Sequence, residues 1–402
     1  MQKLNILCLD IEGGHGGSSK SLYNSIKYIN QDKFKPIVIC KKNGLLDKYA
    51  EIGIKCFVDK TMPTFTALRK QNRNILYYFF FKLYLWPRSI TFRKNLLDII
   101  DRYKIHIVHC NLISLFLLAK WLKKEKPYLI FTLHVRTNPV NTYTGRYQAK
   151  VSHKIFSNKI FITENEREKM NVLIYPEKTD GELIYNSVEI KKDLIKPKYA
   201  KKLKTIKIFS LSNYSYPRGT DRIIDLAEAI PLKERKKFIF YIAGDNRLPR
   251  FLPGKLKILG LMGKSLKDYA KLKKVSEMFR FMGHVKNVDE LINESNILIR
   301  PTREYNPWGR DVLEAMSAGK AVISVGKYDK FVKTNFTGLL QEEFNIEELV
   351  EWLLKISKNT HYLISYGKNS LDVIKKLNDP CKNALKLEKF WSRTLNDNKV
   401  VK

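Results

Sequence analysis

Short apolar runs recur along the chain, and segments with helical spacing of their hydrophobic residues, such as NLLDIIDRY at 95–103, separate several of them. Continuous apolar runs of this length are typical of parallel strands that helices cover on both faces. The pattern therefore predicts an α/β fold with doubly wound parallel sheets, in two series along the chain. The predicted strands are NILCLDI at 5–11, PIVIC at 36–40, KCFVD at 55–59, HIVHC at 106–110, YLIFTLHV at 128–135, KIFIT at 159–163, TIKIFSLS at 205–212, KFIFYIAGD at 237–245, FRFMGH at 279–284, ILIRPT at 297–302 and AVISV at 321–325.

The two series of strands suggest two domains, because 402 residues are more than one core usually holds. Residues 191–204 are rich in lysine, contain one proline and show no apolar periodicity, so we place the linker there. The N-terminal domain is predicted to span residues 1–190 and the C-terminal domain residues 205–379. A last helix, at about 380–402, is expected to pack back on the N-terminal domain.

The charge balance points to an anionic partner. The chain has 74 Lys and Arg residues against 40 Asp and Glu residues, a net charge of +34. Such an excess is typical of proteins that bind nucleic acid, an anionic membrane surface or an anionic substrate. Hydrophobic residues make up 44% and aromatic residues 12% of the chain, which excludes a disordered or collagen-like protein.

One stretch concentrates the basic residues among aromatic ones. Residues 60–97 contain eight basic residues and no acid, and seven aromatic residues crowd positions 77–86. Interfacial membrane elements have this composition. The alternatives are a helix that packs its aromatic residues in the core and a platform for single-stranded nucleic acid. We favour the membrane, with part of the aromatic cluster buried, and expect no nucleic-acid partner because no RNA-binding or OB motif accompanies the stretch. The residues expected to meet lipid are Arg73, Phe79, Phe80, Lys82, Trp86 and Arg88.

Targeting signals and cysteines suggest where the protein works. The N-terminal MQKLNILCLD lacks an apolar stretch followed by a cleavage site, so no signal peptide is expected. The most apolar stretch, at 76–86, is interrupted by Lys82 and is shorter than the roughly 20 residues of a spanning helix. The five cysteines are scattered, as in a reducing compartment. We therefore expect a cytoplasmic protein held peripherally on the inner face of the cell membrane.

The most specific segment is ILIRPTREYNPWGRDVLEAMSAGKAVISVG at 297–326, which predicts strand, polar turn, helix and strand. Asp311 suits the first turn of that helix. Glu314, however, lies among apolar neighbours, where a carboxylate is costly unless something hydrogen-bonds to it. A bound ligand or an ion pair with a basic neighbour would each meet that need.

EAMSAGKAVI at 314–323 resembles the donor-binding motif of the large retaining family 4 of GT-B fold glycosyltransferases. The resemblance implies a GT-B architecture, in which two Rossmann-like doubly wound parallel-sheet domains face a cleft. It also implies a nucleotide-sugar donor held by the C-terminal domain. Four more stretches resemble family motifs in the family's order: SLSNYSYPRGTDRIIDLAEA at 210–229, YIAGD at 241–245, FMGHVKNVDELINESNILIRP at 281–301 and TNFTGLL at 334–340.

The resemblance also implies roles for single residues. Glu314 matches the acid that binds the ribose hydroxyls, and Asn306 stands where the family has an acid that meets the transferred sugar. Arg218 matches the lysine of the family's diphosphate grip, and Asn213 stands in place of its arginine. Either Arg310 or Arg222 is expected to supply the missing cation. The other implied donor contacts are Gly244, Val285, Pro307, Trp308, Gly309 and Asp311.

Two sites in the N-terminal half complete this expectation. GGHGGSSK at 13–20 follows the first strand and precedes a helical pattern, a place where backbone N–H groups can meet an anion. The family has a loop with two glycines here that closes over the donor diphosphate, which implies Gly16 and Gly17. His134, in FTLHVRT, resembles the histidine with which the family contacts the donor sugar.

The resemblance implies a retaining, metal-independent transfer of a sugar from a nucleotide-sugar, with no further cofactor. Combined with the basic aromatic stretch, it suggests a lipid-linked or polysaccharide acceptor in cell-envelope synthesis, such as lipopolysaccharide, O-antigen, capsule or exopolysaccharide. Because Asn213 and Asn306 depart from the family pattern, the alternative is a non-catalytic partner of the same fold that binds nucleotide or glycan at the membrane.

Overall fold

Two parallel sheets form the framework of the protein, one in each of two domains. The computed structural model describes residues 3–11, 17–66, 71–191, 193 and 203–400. The N-terminal domain comprises Met1–Ser187 together with Asn378–Lys402, and the C-terminal domain comprises Val188–Leu377. Most of the predicted linker at 191–204 lies outside the described residues.

The N-terminal domain contains a seven-stranded sheet. Its strands are β1 (Leu4–Asp10), β2 (Phe34–Cys40), β3 (Lys55–Val58), β4 (Ile107–Cys110), β5 (Ile130–Val135), β6 (Asn158–Phe161) and β7 (Glu182–Leu183). They lie in the order β3-β2-β1-β4-β5-β6-β7, with every neighbouring pair parallel. The direction in which strands are added reverses between β1 and β4, so the loops that follow these two strands diverge at the carboxyl edge. That edge is where open α/β sheets bind ligands.

Helices cover both faces of this sheet, as its uniformly apolar strands require. The helices are α1 (Gly17–Ile26), α2 (Leu46–Glu51), α3 (Gln71–Phe80), α4 (Trp86–Arg88), α5 (Ile90–Arg102), α6 (Phe116–Glu125), α7 (Tyr143–Ile155) and α8 (Glu164–Ile174). A π-helical turn (Phe81–Leu85) joins α3 to α4, and a 3₁₀ turn (Ile113–Leu115) precedes α6.

The C-terminal domain repeats the same arrangement with six strands. They are β8 (Ile206–Leu211), β9 (Phe238–Ala243), β10 (Phe279–Gly283), β11 (Ile297–Arg300), β12 (Ala321–Val325) and β13 (Gly338–Gln341). Their order is β10-β9-β8-β11-β12-β13, again with all neighbouring pairs parallel. The reversal here lies between β8 and β11. Each domain is therefore Rossmann-like, as the sequence predicts.

The helices of the C-terminal domain are mostly short. They are α9 (Arg222–Ala229), α10 (Lys255–Ile258), α11 (Leu266–Leu272), α12 (Val288–Glu294), α13 (Arg310–Ser317), α14 (Ile346–Lys358) and α15 (His361–Leu377), with 3₁₀ turns at Tyr216–Arg218, Leu232–Lys237 and Ser276–Met278. Helices α9 and α14 bury their apolar sides in one core with β8 and β9. Among the described residues, no helix combines the length and the hydropathy needed to cross a bilayer.

The last helix, α16 (Pro380–Val400), belongs to the N-terminal domain. Leu387, Phe390 and Trp391 are buried in the core that β1 and β2 share with α1. The indole of Trp391 is fully buried, with its ring 6.1 Å from that of Phe34 and 5.7 Å from that of His109. The end of the chain thus fills a space under the first strands.

We predict that Trp391→Ala lowers the free energy of unfolding of the N-terminal domain by about 3–5 kcal/mol, because it leaves a cavity in a closed core. Leu385→Ala is the matched control, since Leu385 lies on the same helix and is 56% exposed. That control should change stability by less than about 0.5 kcal/mol. Chemical denaturation followed by circular dichroism measures both, and equal effects would contradict the packing of α16 described here.

Candidate functional site

Most of the predicted site residues lie on loops that follow strands β8 to β11 of the C-terminal domain. Asn213 and Arg218 follow β8, and Asn306 follows β11. Because all these strands are parallel, their loops emerge at the same carboxyl edge of the sheet. The strand order therefore collects residues that are about 90 positions apart in sequence.

The turn that carries Arg218 is shaped by a glycine. Gly219 has φ +72°, and a Cβ built on it would lie 2.0 Å from the carbonyl oxygen of Pro301. Only glycine accepts both the left-handed backbone and this close approach. The Arg218 guanidinium is exposed and makes no side-chain hydrogen bond or ion pair with any described residue. The turn thus presents an uncompensated positive charge at the edge of the sheet.

A buried ion pair holds this turn in place. Arg303, on the loop after β11, donates to both carboxylate oxygens of Asp221, at 2.8 and 2.5 Å. Its guanidinium also donates to the Tyr216 carbonyl oxygen at 2.8 Å and stacks on the Tyr216 ring, 4.1 Å from the centroid. Arg303 was not among the predicted site residues, because only the fold brings it to Asp221. It positions the turn that carries Arg218.

A second ion pair shapes the loop before α13. Arg300, at the end of β11, donates from Nη1 to both oxygens of Asp311 (2.7 and 2.6 Å) and from Nε to the Asn306 carbonyl oxygen (3.1 Å). Gly309 leaves room for this pair, because a Cβ there would lie 2.9 Å from Arg300 Nη1. These contacts favour a structural role for Asp311, for which donor contact was predicted.

Glu314 forms the ion pair that the sequence offered as one explanation for its position. The Nε of Arg310 donates to Glu314 Oε1 at 3.0 Å, one helical turn away on α13, and both side chains are largely buried. A carboxylate can accept several hydrogen bonds at once. The pair therefore fixes the orientation of the Glu314 carboxylate and leaves it chemically able to accept from a ligand.

Other predicted donor contacts have contacts within the protein. Arg222 donates to the carbonyl oxygens of Pro301 (3.4 Å) and Thr302 (3.3 Å), which favours a structural role. Trp308 is buried with its ring 5.2 Å from that of Phe331, so the protein core surrounds it. Arg222 and Arg310 were predicted as substitutes for a missing cation, and both guanidinium groups are already hydrogen-bonded.

The remaining predicted residues of this domain build the edge of the sheet. The Asn213 side-chain oxygen accepts from the backbone N–H of Asp245 at 2.8 Å, and so ties the loop after β8 to the loop after β9. Gly244 lies in that second loop with φ +110°, and a Cβ there would be 2.6 Å from the Ser212 carbonyl. Pro307 is buried on the loop before α13, and Val285 is half-buried after β10.

The N-terminal domain has its own polar network at the strand ends. Asn111, after β4, donates to Asp10 Oδ1 at the end of β1 (3.0 Å) and accepts from Nε of Arg136, just after β5. Ser19 of α1 donates to the other Asp10 oxygen. All four side chains are buried. Arg136 was missed by the sequence reasoning, although it lies two positions after His134.

Arg136 also determines the state of His134. Its Nη2 lies 3.0 Å from His134 Nδ1, and because a guanidinium can only donate, Nδ1 must accept and Nε2 must carry the proton. Burial, with Arg136 and His109 as further causes, holds the pKa of His134 well below its usual value. His134 is therefore a neutral hydrogen-bond donor, and its buried Nε2 has no partner among the described residues.

The glycine-rich loop is only partly described. Gly16 and the rest of residues 12–16 lie outside the described residues, whereas Gly17 is the exposed first residue of α1. The carbonyl oxygen of Gly17 accepts a hydrogen bond from the Ser21 hydroxyl.

Within the basic aromatic stretch, α3 and the π-helical turn after it have two different faces. Phe81 is buried, and Tyr77 stacks on Phe65 with ring centroids 5.1 Å apart, so part of the aromatic cluster joins the core. The opposite face exposes Leu76 (72%), Phe79 (57%), Phe80 (47%) and Leu83 (77%). These four follow the i, i+3, i+4, i+7 spacing of a helix face, here turned toward solvent.

Cations border this exposed face. The Arg88 guanidinium stacks on Tyr84, 3.9 Å from the ring centroid, and Lys82 is exposed beside Tyr78 and Trp86. Trp86 differs from the expectation of lipid contact, because it is half-buried with its ring 6.1 Å from that of Trp121. Arg73 lies on α3, and its side chain lies outside the described residues.

Two family models match this chain, one in each half of the sequence. The family model described as "Glycosyl transferases group 1" matches residues 191–371, and that described as "Glycosyltransferase Family 4" matches residues 15–192. The chain belongs to this glycosyltransferase family. The resemblance seen at 314–323 is thereby confirmed, and the family membership supports a transferase. No sequence among the curated proteins matches this glycosyltransferase.

Solved structures show the same fold as this glycosyltransferase. Anabaena HepE, solved with UDP-glucose, is 16% identical with a TM-score of 0.71, and the match covers 97% of this chain and 100% of that one. Sucrose-phosphate synthase from Thermosynechococcus elongatus is 14% identical with a TM-score of 0.72, over 98% and 100% of the two chains. The lipopolysaccharide outer core galactosyltransferase WaaB is 13% identical with a TM-score of 0.66, over 98% and 100%. The two Rossmann-like domains are thus those of a GT-B glycosyltransferase.

The described residues of the glycosyltransferase contain no group of three or more His, Cys, Asp or Glu side chains placed to hold a metal ion. At the carboxyl edge of the C-terminal sheet, carboxylates pair with Arg300, Arg303 and Arg310, and carbonyl oxygens accept hydrogen bonds from Arg222. The Arg218 side chain has no such partner among the described residues.

We predict that His109 and His134 stay neutral from about pH 5 to pH 8. Burial, followed by Arg136, lowers the pKa of His109 to about 3, and the pKa of His134 is also lowered. Because the unfolded chain binds protons that these rings do not, the unfolding free energy should fall as the pH drops below about 6.5. Nitrogen-15 NMR of labelled histidine reads both rings and the Nε2–H tautomer of His134, and Arg136→Met should raise both pKa values. Titration of either ring near pH 6.5 in the unaltered protein would contradict the prediction.

Proposed function

We propose that this glycosyltransferase moves a sugar from a nucleotide-sugar donor to a lipid-linked glycan acceptor, with retention at the anomeric carbon. The observation that carries the proposal is the exposed Arg218, which has no side-chain partner in the described part of the chain and lies on a turn that Arg303 and Asp221 hold in place. A fixed cation at the carboxyl edge of a Rossmann-like sheet suits a diphosphate.

The donor would bind to the C-terminal domain. Arg218 would neutralise the diphosphate as it departs, with a bidentate guanidinium contact. The Glu314 carboxylate, oriented by Arg310, would accept hydrogen bonds from the ribose hydroxyls. The family resemblance supports this assignment, and HepE, a protein of the same fold, was solved with UDP, and with UDP-glucose.

The transfer itself would need little from protein acids and bases. The acceptor hydroxyl would attack from the face that the diphosphate leaves, and a diphosphate oxygen would take its proton. His134 suits this scheme, because a neutral, fixed donor can hydrogen-bond a sugar but does not act as a general base at neutral pH. No metal is required in this proposal, because Arg218 supplies the charge stabilisation.

The asparagines affect how fast the reaction would run. Asn306 can hydrogen-bond a sugar hydroxyl, but it gives no charge stabilisation to an oxocarbenium-like transition state. The side-chain oxygen of Asn213 accepts a hydrogen bond from the Asp245 N–H and so stabilises the loop after β8. The second candidate function, a non-catalytic partner that binds nucleotide or glycan, rests on these two departures from the family pattern.

We predict that one nucleoside diphosphate from a panel raises the melting temperature of the protein. A ligand at a hundred times its dissociation constant stabilises by about 2.7 kcal/mol. Arg218→Ala and Glu314→Ala should each abolish most of the shift, whereas Lys233→Ala and Glu277→Ala, exposed residues of the same domain, should keep it.

Differential scanning fluorimetry gives this shift, and NMR of the product from a donor library gives the anomeric configuration. No response to any nucleotide would reject the enzyme and a nucleotide-binding partner, and would leave only a glycan-binding partner. A shift without turnover on any donor and acceptor would reject the enzyme and keep the binding partner, and an inverted product would reject retention.

We further propose that the exposed face of α3 and the π turn attaches the enzyme to an anionic membrane. Leu76, Phe79, Phe80 and Leu83 would enter the interface, and Lys82 and Arg88 would meet headgroups. Each basic residue near anionic lipid contributes about 1 kcal/mol. The enzyme would then lie on the same membrane surface that carries a lipid-linked acceptor.

We predict that the triple variant Phe79→Ser/Phe80→Ser/Leu83→Ser binds vesicles that contain phosphatidylglycerol about tenfold or more weakly. It lacks three apolar side chains that would otherwise transfer from water into the membrane interface. Tyr143→Ser/Val172→Ser is the control, since both residues are exposed elsewhere in the same domain. Vesicle flotation measures the bound fraction. Equal flotation of the triple variant and the unaltered protein would remove the proposal.

A further inference from the structure

A closed loop between β9 and α11 forms a separate surface of the C-terminal domain. Its ends are joined by an antiparallel bridge between Arg247 and Ser265 and by a hydrogen bond from the Leu248 N–H to the Lys264 carbonyl oxygen at 2.7 Å. The Gly263 N–H donates to the Pro249 carbonyl oxygen at 3.2 Å. The loop is therefore a folded unit with a closed neck.

Four leucines anchor the loop from inside. Leu248, Leu252, Leu256 and Leu261 are all buried in the main core of the domain. An ion pair from Lys255 to Asp225 of α9, at 2.9 Å, fixes the loop from outside. The outward-facing residues between these anchors are therefore held in place.

The outward-facing residues are unusually apolar. Phe251 is 92% exposed and Ile258 is 85% exposed, and Leu259 and Met262 are exposed beside them in sequence. A single exposed apolar residue is ordinary, but four on one short anchored loop form a patch that is typical of an interaction surface. We call these four residues the loop patch.

The charge around the loop patch is of one sign. Residues 246–267 contain six basic residues and no acid. Arg250 and Lys257, which alternate with the exposed apolar residues, make no side-chain hydrogen bond or ion pair with any described residue. The patch therefore combines free cations with exposed large apolar side chains.

We propose that the loop patch is a second lipid-contacting surface, which inserts Phe251 and Ile258 into the interface of an anionic bilayer while Arg250 and Lys257 meet its headgroups. Interfacial membrane elements combine Phe and Leu with Lys and Arg, whereas the cores of protein–protein interfaces are depleted of Lys. The charge complementarity thus favours anionic lipid over a protein partner.

The loop patch also neighbours the site. A Cβ built on Gly254 would lie 3.5 Å from the Tyr216 hydroxyl, and Tyr216 belongs to the turn that carries Arg218. Lipid bound at the loop would therefore lie near the region where the donor diphosphate is proposed to bind. The loop patch and the exposed face of α3 would both contact anionic lipid, but the two surfaces have no residue in common.

Flotation with phosphatidylcholine vesicles, with and without phosphatidylglycerol, tests the inference on the full chain. Phe251→Ser/Ile258→Ser should lower the affinity for anionic vesicles by about fivefold or more. Arg250→Gln/Lys257→Gln, which leaves the apolar residues intact, should lower it by a similar factor and leave binding to neutral vesicles unchanged. The controls are Leu232→Ser/Phe336→Ser and Lys233→Gln/Lys236→Gln, exposed residues of the same domain that should change nothing.

The outcomes separate the two lipid-contacting surfaces. If both loop variants float like the unaltered protein while the α3 triple variant does not, the loop patch is rejected and the α3 proposal stands. If only the loop variants lose binding, the α3 proposal is rejected and the loop patch stands. An unaltered protein that does not bind anionic vesicles rejects both. The melting temperature shows which variants are folded, and the charge variant decides the result if the apolar variant is unstable.

Discussion

The ion pair between Arg303 and Asp221 is the contact on which the candidate site depends. It joins the loop after β11 to the turn after β8, at the point where the strand order of the C-terminal sheet reverses. Removal of one partner would leave the other charge buried, which costs about 3–5 kcal/mol. Arg303 donates to both carboxylate oxygens of Asp221, so this neighbouring acid already has its cation and the Arg218 guanidinium can meet a ligand.

The two domains use different interactions to hold the loops that follow their central strands. Each is a parallel sheet whose central loops must be held apart and kept polar. The C-terminal domain uses arginine–carboxylate pairs, in which Arg300 and Arg303 each hold one loop. The N-terminal domain links Asp10 to Arg136 through the amide of Asn111, a neutral bridge between two buried charges. Within that network Arg136 orients His134, and burial, followed by the charge of Arg136, lowers the pKa of His134 so that its ring stays uncharged.

Eleven of the thirteen described strands and Glu314 could be predicted from the sequence, because buried parallel strands are continuous apolar runs and the motif around Glu314 is local. The short edge strands β7 and β13 were not predicted. Arg303 could not be predicted, since its partner lies 82 positions away and only the strand order brings them together. The same holds for Arg136 and Asn111, which are 25 positions apart. The aromatic stretch could be identified from its composition. Which of its side chains are buried could not, because this depends on their contacts with Phe65 and Trp121 in the fold.

The position of α16 has a consequence for how the protein is made. Translation completes every strand of the N-terminal sheet long before it reaches Trp391, which fills the core under β1 and β2. Domains usually fold in order during synthesis. Here the domain that emerges first would have to wait, with apolar surface uncovered, until the ribosome has made the entire C-terminal domain. Premature termination inside α16 would therefore destabilise the N-terminal domain more than the C-terminal domain.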